Sequence, residues 1–446
     1  MTQYLVLLMP LVVLVLAFVV YRRWLHPLSH FPGPFIASVS GLYQTYWNFQ
    51  PNFQENFTHL HEKYGPIVRY SPNGIIFSDY ELLSVAYGRR ADKSDFFAAN
   101  FDTDATFNRK WLAGDNVSLL ISGKPLGFIE TESDVHDLLR NQKHAFRWIN
   151  FLSIQDNFSW YIRNTWLGRK LVMAHATDRL GVGVYMKERD CIVASAFDEA
   201  GVLDKSALIE GTLLSSLLTD HYAGNGMTLT DVRAEVLFAL LAGSSVTPTN
   251  LWTTVFLISR DAAVKTKLGQ ELQLAESLGQ IPPPAHIISD AATKALPYLH
   301  ACIQEALRFS PTMSQLPRLS PRDTGLELHG KFVPPGFSVS SSPWIIGRSK
   351  ALYGEDADVY RPERWLEASP AQLRCWDKNS FYFGYGGRKC AARRFALTQM
   401  YKAVAEMFRR FDVQPAGPTH GTSAGKPSTT EFRFMPKPGS GQTSGQ

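Results

Sequence analysis

Residues 383–390 read Phe-Gly-Tyr-Gly-Gly-Arg-Lys-Cys, and they carry more information about the chain than any other segment. The glycines predict a tight turn, and the next segment, residues 391–410, has a helical pattern. A cysteine between such a turn and a helix lies in the field of free backbone N–H groups, which stabilise a thiolate. A lone buried thiolate favours one large, soft metal partner. The alternative is an inert structural cysteine in a tight turn.

The pattern Phe-x-x-Gly-x-Arg-x-Cys resembles the haem-binding loop of the cytochrome P-450 family. The resemblance implies that Cys390 is the axial thiolate ligand of the iron of haem b, with Phe383 packed beside the sulfur. It also implies that Gly386 and Arg388 belong to the cofactor site, with Arg388 contacting a haem propionate. After the cysteine, the family's Cys-x-Gly reads Cys-Ala-Ala here, and alanine is small enough for close packing.

A second motif places Glu305 and Arg308 three residues apart in a helical segment. Residues at this spacing share a helix face and can pair, although most such pairs are solvated and contribute little. Residues 360–365 (Tyr-Arg-Pro-Glu-Arg-Trp) resemble the family's Pro-Glu-Arg-Phe/Trp element, whose arginine joins the helix pair in a buried triad. The resemblance implies that Glu305, Arg308 and Arg364 form a scaffold for the haem loop and are not catalytic.

Composition excludes several other classes of protein. The chain has 446 residues, of which 45% are hydrophobic and 12% aromatic, and it has no internal low-complexity linker, so we expect one large domain with an enclosed apolar cavity. A net charge of +5 does not suggest nucleic-acid binding. The four cysteines lack Cys-x-x-Cys spacing, which argues against a zinc site or a disulfide framework and favours a reducing compartment.

The N terminus predicts a membrane anchor. Residues 4–20 contain no charge and are followed by Arg22 and Arg23, which favour the cytosolic side for the rest of the chain. A cleaved signal peptide is disfavoured because no charged region precedes the apolar run and no small-x-small site follows it. We therefore expect a single-pass protein of the endoplasmic reticulum membrane with a cytosolic catalytic domain.

The rest of the chain divides into further predicted segments. The domain boundaries that we expect are a transmembrane anchor at 1–21, a stiff proline-rich hinge at 22–36, a haem-thiolate domain at 37–415 and a flexible tail at 416–446 with a strand pattern at 431–435. Short strand patterns at 67–70 and 74–78 predict a small sheet. The fold class is thus mainly α with a smaller β region (α+β), the fold of the cytochrome P-450 family.

Cations elsewhere in the chain match family positions that hold the haem propionates. Residues 132–148 have a helical pattern that puts His136 and Arg140 on one face, where family members bind a propionate. A solvated basic face is the alternative. Arg318 matches another arginine that contacts a propionate in the family. Two carboxylates on one buried ligand need several fixed cations, which these residues and Arg388 would supply.

A long helix predicted at 231–260 contains the largest departure from the family. The family pattern Ala-Gly-x-Asp/Glu-Thr-Thr relays protons during oxygen activation, and here Ala242 and Gly243 fit it, leaving room for dioxygen. Ser245 and Val246 occupy the acid and alcohol positions. Because valine cannot carry a proton, the relay must use Ser245, Thr247, water or the substrate.

The same helix contains a proline. Pro248 removes one backbone N–H and frees the carbonyl of Ser244, so we expect a kink there and a carbonyl that can anchor a water. Residues 148–227, which usually roof the substrate pocket in the family, form a shorter stretch here. Either the roof is trimmed or part of the sequence is missing.

These features together predict a haem-thiolate monooxygenase that oxidises an apolar small molecule, in the context of fungal secondary metabolism. The resemblance implies an NADPH-dependent flavoprotein reductase as electron donor, and Lys389, Arg393 and Arg394 form either a basic docking face for it or a solvated cluster. The alternatives are an enzyme that cyclises, couples or dehydrates its substrate without oxygen insertion, and a membrane-anchored haem-binding protein with no turnover.

Overall fold

Helices dominate the fold, and small sheets complete it. The computed structural model describes residues 2–50, 53–88, 92–93, 111–142, 145, 165–171, 174–415 and 432–437. The longer helices span Thr2–Val20, Leu42–Asn48, Phe53–Tyr64, Trp111–Ser122, Trp166–Leu171, Val182–Ala194, Leu213–Tyr222, Leu229–Arg260, Ala262–Ser277, Pro297–Phe309, Pro370–Asn379 and Arg393–Arg410. Shorter helices span Phe35–Val39, Leu83–Ala86, Phe128–Thr131, Asp290–Thr293, Pro343–Gly347, Lys350–Tyr353 and Arg364–Glu367. The prediction of a mainly α fold with a smaller β region is confirmed.

Within the described residues, the strands form one sheet of five and two sheets of two. The strands are β1 Ile67–Ser71, β2 Gly74–Phe77, β3 Asp92–Lys93, β4 Arg318–Leu319, β5 Leu326–Leu328, β6 Lys331–Val333, β7 Ser338–Ser341, β8 Phe411–Pro415 and β9 Phe432–Pro436. The larger sheet has the order β1-β2-β7-β4-β3, and β2 runs parallel to β7. The first half of the chain and the segment before the cysteine loop therefore share one sheet.

Several elements agree with the sequence predictions. The strands predicted at 67–70 and 74–78 are the antiparallel pair β1 and β2. The strand pattern at 431–435 corresponds to β9, which pairs with β8 at the end of the helix Arg393–Arg410. The predicted long helix is Leu229–Arg260, and its first turn is closed by a capping box between Thr228 and Asp231.

The long helix Leu229–Arg260 connects two hydrophobic clusters. Near its start, Val236 and Leu240 pack in a cluster with residues of Trp111–Ser122 and Val182–Ala194. Near its end, Val255 and Ile258 pack in a cluster that includes residues of Arg393–Arg410. Burial at both ends fixes the helix, because a buried aliphatic side chain contributes about 1.5–3 kcal/mol relative to an exposed one. The polar segment predicted to be functional lies between the two clusters.

The N-terminal segment begins with the helix Thr2–Val20 and continues as a π-helical turn, Tyr21–Leu25. Among the helices whose residues the structure describes, none is both long enough and apolar enough to cross a membrane. The proline-rich segment predicted as a hinge packs on the domain, with Phe31 buried. The Arg69 N–H donates to the Pro32 carbonyl at 2.7 Å, which fastens this segment to β1.

Candidate active site

The loop that carries Cys390 is closed by backbone hydrogen bonds and two left-handed glycines. The Cys390 N–H donates to the Phe383 carbonyl at 2.8 Å. Gly384 and Gly386 have φ angles of 79° and 65°, which residues with a Cβ rarely adopt. The helix Arg393–Arg410 follows, and its N-cap residue Ala392 provides no side-chain acceptor. The first backbone N–H groups of the helix therefore receive no side-chain cap from this position. A tight turn followed by a helix was predicted and is observed, and Cys390 lies exposed between them.

Tyr87 holds this loop against the five-stranded sheet. A Cβ on Gly386 would lie 2.5 Å from the Tyr87 carbonyl oxygen, so the close approach requires glycine. The Tyr87 hydroxyl donates to the Leu316 carbonyl at 2.5 Å and accepts from the Ser341 N–H at 2.9 Å. Burial raises the pKa of this hydroxyl, so it remains a donor. No motif marks Tyr87 in the sequence, because its partners lie more than 200 positions away.

Aromatic rings surround the other end of the loop. The half-buried Phe383 packs against the core cluster that contains Phe408, and the ring of Tyr382 meets it edge-on at 5.4 Å between centroids. The Arg393 guanidinium lies 5.7 Å from the centroid of the Phe383 ring, within the range of a cation–π contact. These contacts give Phe383 a fixed position seven residues before the cysteine.

Arg318 and Arg388 place two positive charges near the loop. Arg318 is buried in β4, and its guanidinium lies 5.3 Å from the centroid of the Tyr87 ring. Burial lowers the pKa of Arg318, and the charge of Arg388 lowers it further. A group with carboxylates between the two guanidiniums would relieve this repulsion. Arg318 thus lies against Tyr87, the residue that the loop approaches at Gly386, two positions before Arg388.

Glu305, Arg308 and Arg364 form a buried ion-pair network. Both oxygens of Glu305 accept from Arg308, at 2.7 and 2.8 Å, and Oε1 also accepts from Arg364 Nε at 2.9 Å. The side chains of Glu305 and Arg308 are 0% exposed. Two further donors to Glu305 are the indole of Trp365 and the backbone N–H of Arg361, both at 2.9 Å. The carboxylate is therefore almost completely enclosed by donors.

Most of the remaining guanidinium donors of this network bind backbone carbonyls. Arg308 donates to Ala357 and Val359, and Arg364 donates to Tyr353 and also to the carboxylate of Asp356. Burial alone would raise the pKa of Glu305, but the hydrogen bonds and charge of the arginines outweigh it and hold this pKa below its ordinary value. The triad thus ties together three separate segments that precede the cysteine loop.

His136 and Arg140 pair with acidic side chains. His136 has a left-handed backbone in the 3-10 turn Val135–Asp137, so residues 132–148 do not begin as the regular helix that was predicted. Its side chain is 66% exposed, and Nδ1 lies 2.7 Å from Glu188 Oε2. Arg140 is 69% exposed and lies 3.2 Å from Asp137. Because His136 has a non-helical backbone, helical spacing no longer places it on the face of Arg140.

The serines of the long helix use their hydroxyl protons on backbone carbonyls. Ser244 donates to Leu240 at 2.6 Å, and the buried Ser245 donates to Leu241 at 3.1 Å. The Ser244 hydroxyl also accepts from the Gln142 side-chain amide at 2.8 Å. Gln142 was not singled out in the sequence, where it has no motif. Both serine hydroxyls are therefore oriented toward the helix itself.

Gly243 serves the packing of two helices. A Cβ at this position would lie 2.6 Å from a methyl group of Val117, which belongs to the helix Trp111–Ser122. Gly243 therefore admits the Val117 side chain, and the room for dioxygen expected beside Ala242 and Gly243 stays a prediction. Three of the other predicted residues on this helix are half-buried: Ala242, Val246 and Thr247. The helix Leu229–Arg260 continues through Pro248 without interruption.

Comparisons with known proteins identify a family for this chain. The family model for cytochrome P-450 matches residues 121–440. The cytochrome P-450 monooxygenase ustC of Aspergillus flavus is 42% identical to this chain, over 86% of the chain and 78% of that protein. The cytochrome P-450 monooxygenase gsfF of Penicillium aethiopicum is 28% identical, over 90% and 91%. Quiannulatic acid synthase of Emericella variicolor is 27% identical, over 83% and 84%.

The chain belongs to the cytochrome P-450 family, as the family model and the 42% identity show. It is thus an oxidoreductase of the haem-thiolate monooxygenase class, whose cofactor is haem b with a cysteine thiolate as axial ligand. Members of the family generally receive electrons from a redox partner and act on hydrophobic substrates. The resemblance inferred from residues 383–390 is confirmed, and the alternative of a haem protein without turnover is set aside.

Proposed function

We propose that Cys390 is the cysteine that holds the haem iron and that this enzyme hydroxylates or epoxidises an apolar small molecule. The observation that carries the proposal is the loop geometry, in which two left-handed glycines present Cys390 beside a helix start. The nearby donor set fits haem: one thiolate suits the iron, and Arg318 and Arg388 suit the propionates. Haem with a thiolate ligand supplies the redox chemistry that activates dioxygen.

The other predicted site residues have supporting roles in this proposal. Phe383 packs beside the sulfur and tunes it, while Gly386 lets the loop approach Tyr87. The network of Glu305, Arg308 and Arg364 holds the segments that support the loop. His136 and Arg140 remain predicted cations for the haem propionates. To bind a propionate, His136 would exchange its contact with Glu188, and Arg140 its contact with Asp137.

Proton delivery falls to a small set of groups on the long helix. Val246 has no exchangeable proton, and the Ser245 hydroxyl is bonded to the Leu241 carbonyl. Thr247 is half-buried and carries a hydroxyl. We therefore assign proton delivery to Thr247, to a water at the Ser244 carbonyl, or to a hydroxyl of the substrate. Ala242 and Gly243 lie in the same turn of this helix, where Gly243 admits Val117.

The wider context that we propose is fungal secondary metabolism at the endoplasmic reticulum. Support comes from the fungal monooxygenases to which the chain is similar. Residues 1–21 would form the single transmembrane anchor, ahead of a cytosolic domain that takes electrons from an NADPH-dependent flavoprotein reductase. Lys389, Arg393 and Arg394 offer that acidic partner a basic face, although Arg393 also pairs with Asp377 at 3.0 Å.

A second candidate activity is cyclisation, coupling or dehydration of the substrate without oxygen insertion. The observation that favours it is again the long helix, where an acid and an alcohol are replaced by Ser245 and Val246. An enzyme whose proton delivery is weak is better suited to outcomes that need fewer protons. Product analysis in a pathway host, with the mass gain of one oxygen atom as the marker, separates the two activities.

The ligand assignment is tested by the spectrum of the reduced, carbon monoxide-bound protein. Cys390→Ala should abolish the thiolate-type Soret band, because no other cysteine is presented by such a loop. Cys375→Ala is the matched control, since Cys375 is also exposed and lies only fifteen residues earlier. Retention of the band in the Cys390 variant, or its loss in the Cys375 variant, would overturn the assignment.

A further inference from the structure

One glutamine side chain joins the two segments on either side of Cys390. The Tyr382 hydroxyl donates to Gln304 Oε1 at 2.6 Å, and Gln304 Nε2 donates to the Tyr401 hydroxyl at 2.9 Å. Tyr382 lies eight residues before Cys390, and Tyr401 lies eleven residues after it. We call Tyr382, Gln304 and Tyr401 the amide clamp. The clamp ties the start of the cysteine loop to the helix that follows the cysteine.

The clamp is supported by the helix that carries the buried triad. Gln304 directly precedes Glu305 in the helix Pro297–Phe309. Glu305 is held by Arg308 and Arg364, so the backbone that bears the Gln304 amide has little freedom to move. Neighbouring residues of a helix point about 100° apart, so the carboxylate and the amide serve different sides of this helix. The amide clamp is therefore separate from the triad.

The hydroxyl groups of the clamp are matched by the amide. Burial raises the pKa of Tyr382, and burial also raises the pKa of Tyr401. Both hydroxyls therefore stay protonated at physiological pH. The amide oxygen accepts from one hydroxyl, while the amide N–H donates to the other. Removing any one of the three polar groups leaves a neighbour without its partner, which is costly in the interior.

Ring stacking fixes the Tyr401 end of the clamp. The ring of Tyr401 stacks on that of His300, with centroids 3.9 Å apart and an interplanar angle of 14°. His300 lies four residues before Gln304, about one helical turn, so one helix holds both the ring and the hydroxyl of Tyr401. Burial lowers the pKa of His300, so the stacked imidazole is neutral at physiological pH.

The Tyr382 end of the clamp reaches Cys390 through one residue. The ring of Tyr382 meets that of Phe383 edge-on, with centroids 5.4 Å apart. The carbonyl oxygen of Phe383 accepts from the Cys390 N–H at 2.8 Å. A displacement of Tyr382 therefore passes to the backbone of Cys390 through a peptide bond and one hydrogen bond.

We propose that Gln304 is a positioning residue for the Cys390 sulfur, acting through Tyr382 and Tyr401. The clamp keeps the start of the loop at a constant distance from the helix Arg393–Arg410, and the sulfur lies between these two fixed points. The inference rests on the proposed role of Cys390 as the haem ligand. Groups that hold a ligand from behind set its orientation and the strength of its bond to the metal.

The test uses the full-length, haem-loaded protein and the variants Gln304→Met, Tyr382→Phe and Tyr401→Phe. Resonance Raman spectra of the ferric protein give the iron–sulfur stretching frequency, and spectroelectrochemical titration gives the midpoint potential. Each variant should lower the frequency, because the loop relaxes and the bond weakens. Each should also make the potential more positive, because a weaker thiolate bond stabilises the oxidised iron less.

The stability of the ligand bond gives a third readout. The rate at which urea removes the thiolate-type Soret band should rise about fivefold in Tyr382→Phe and in Tyr401→Phe, because one hydrogen bond contributes a factor of about five. Gln304→Met combined with Tyr382→Phe should shift the frequency no further than Gln304→Met alone, since that change already removes the partner of the Tyr382 hydroxyl. The tyrosine variants keep their rings, so they carry the test even if Gln304→Met does not fold.

Tyr360→Phe is the matched control. Tyr360 packs partly buried against the same core cluster as Tyr382, and its hydroxyl donates to the Cys302 carbonyl of the same helix at 3.1 Å. Its loss should lower the urea midpoint and leave the frequency and the potential unchanged. An unchanged frequency and potential in both tyrosine variants of the clamp, or equal shifts in the control, would overturn the positioning role. A thiolate-type band that persists in Cys390→Ala would instead overturn the ligand assignment.

Discussion

Replacing Glu305 by glutamine tests whether the buried triad supports the fold around the cysteine loop. The glutamine keeps the shape of the side chain but turns one acceptor oxygen into an amino group that faces guanidinium donors. Arg308 loses its only carboxylate among the described residues, while Arg364 keeps Asp356 at 2.9 Å. Breaking a buried pair in this way costs about 3–5 kcal/mol. Since domains have about 5–15 kcal/mol of stability, the variant should be close to unfolding.

The assay combines stability with cofactor content. Urea unfolding gives the free energy, and the reduced, carbon monoxide-bound spectrum gives the fraction of protein that holds haem. Glu355→Gln is the matched control, because its pair with Lys350 has side chains 89% and 57% exposed and should contribute less than about 1 kcal/mol. If Glu305→Gln unfolds with the free energy of the unmodified protein and keeps normal haem content, the scaffold interpretation is wrong.

The pH dependence adds a second readout for the same variant. The folded-state pKa of Glu305 lies below its ordinary value of 4.5. A carboxyl with a lowered pKa stabilises the fold above the unfolded pKa, and this stabilisation is lost as the pH falls through the folded pKa. The stability difference between the unmodified protein and Glu305→Gln should therefore be constant from about pH 6 upward and shrink below about pH 4. A difference that grows on acidification would contradict the assigned charge state.

Further predictions concern the loop, the anchor and the long helix. Gly386→Ala should prevent haem binding, because its Cβ would strike the Tyr87 carbonyl at 2.5 Å, whereas Gly387→Ala, with open space around it, should bind haem normally; equal haem content in both would refute this. Deletion of residues 1–21 should release the protein from membranes with its haem spectrum unchanged, and retention in the carbonate-washed pellet would place the anchor elsewhere. Ser245→Asp with Val246→Thr should raise product formed per NADPH consumed and lower peroxide, and a lower yield would show that another group carries the proton.

Short-range patterns account for what could be predicted at the site. The turn before Cys390 follows from glycines that lie within a few residues of it, and the pair of Glu305 and Arg308 follows from helical spacing. Arg364 could be assigned to that pair only through the family resemblance. Its bond to Glu305 spans 59 positions, a distance over which spacing carries no information.

The surroundings of two predicted site residues depend on neighbours that the sequence does not reveal. Helical periodicity placed His136 on the face of Arg140, but a left-handed residue interrupts the helix there and Glu188 receives the imidazole. Gly243 packs against Val117 of a neighbouring helix, a contact that no spacing in the sequence indicates. In both cases the deciding neighbour belongs to another element, and its arrival depends on how the elements pack.

The sequence by itself determined the family, the turn before Cys390, the helices that carry Glu305 and Ser245, and the strands β1 and β2, because each of these depends on local backbone preference or on a contiguous motif. Only the tertiary structure decided that Tyr87 holds the loop to the sheet and that the serine hydroxyls face their own helix. It also decided that Arg69 meets Arg22 at the end of the N-terminal helix. Such contacts join residues far apart in the chain, and they form only where packed elements bring particular donors and acceptors within about 3 Å of one another.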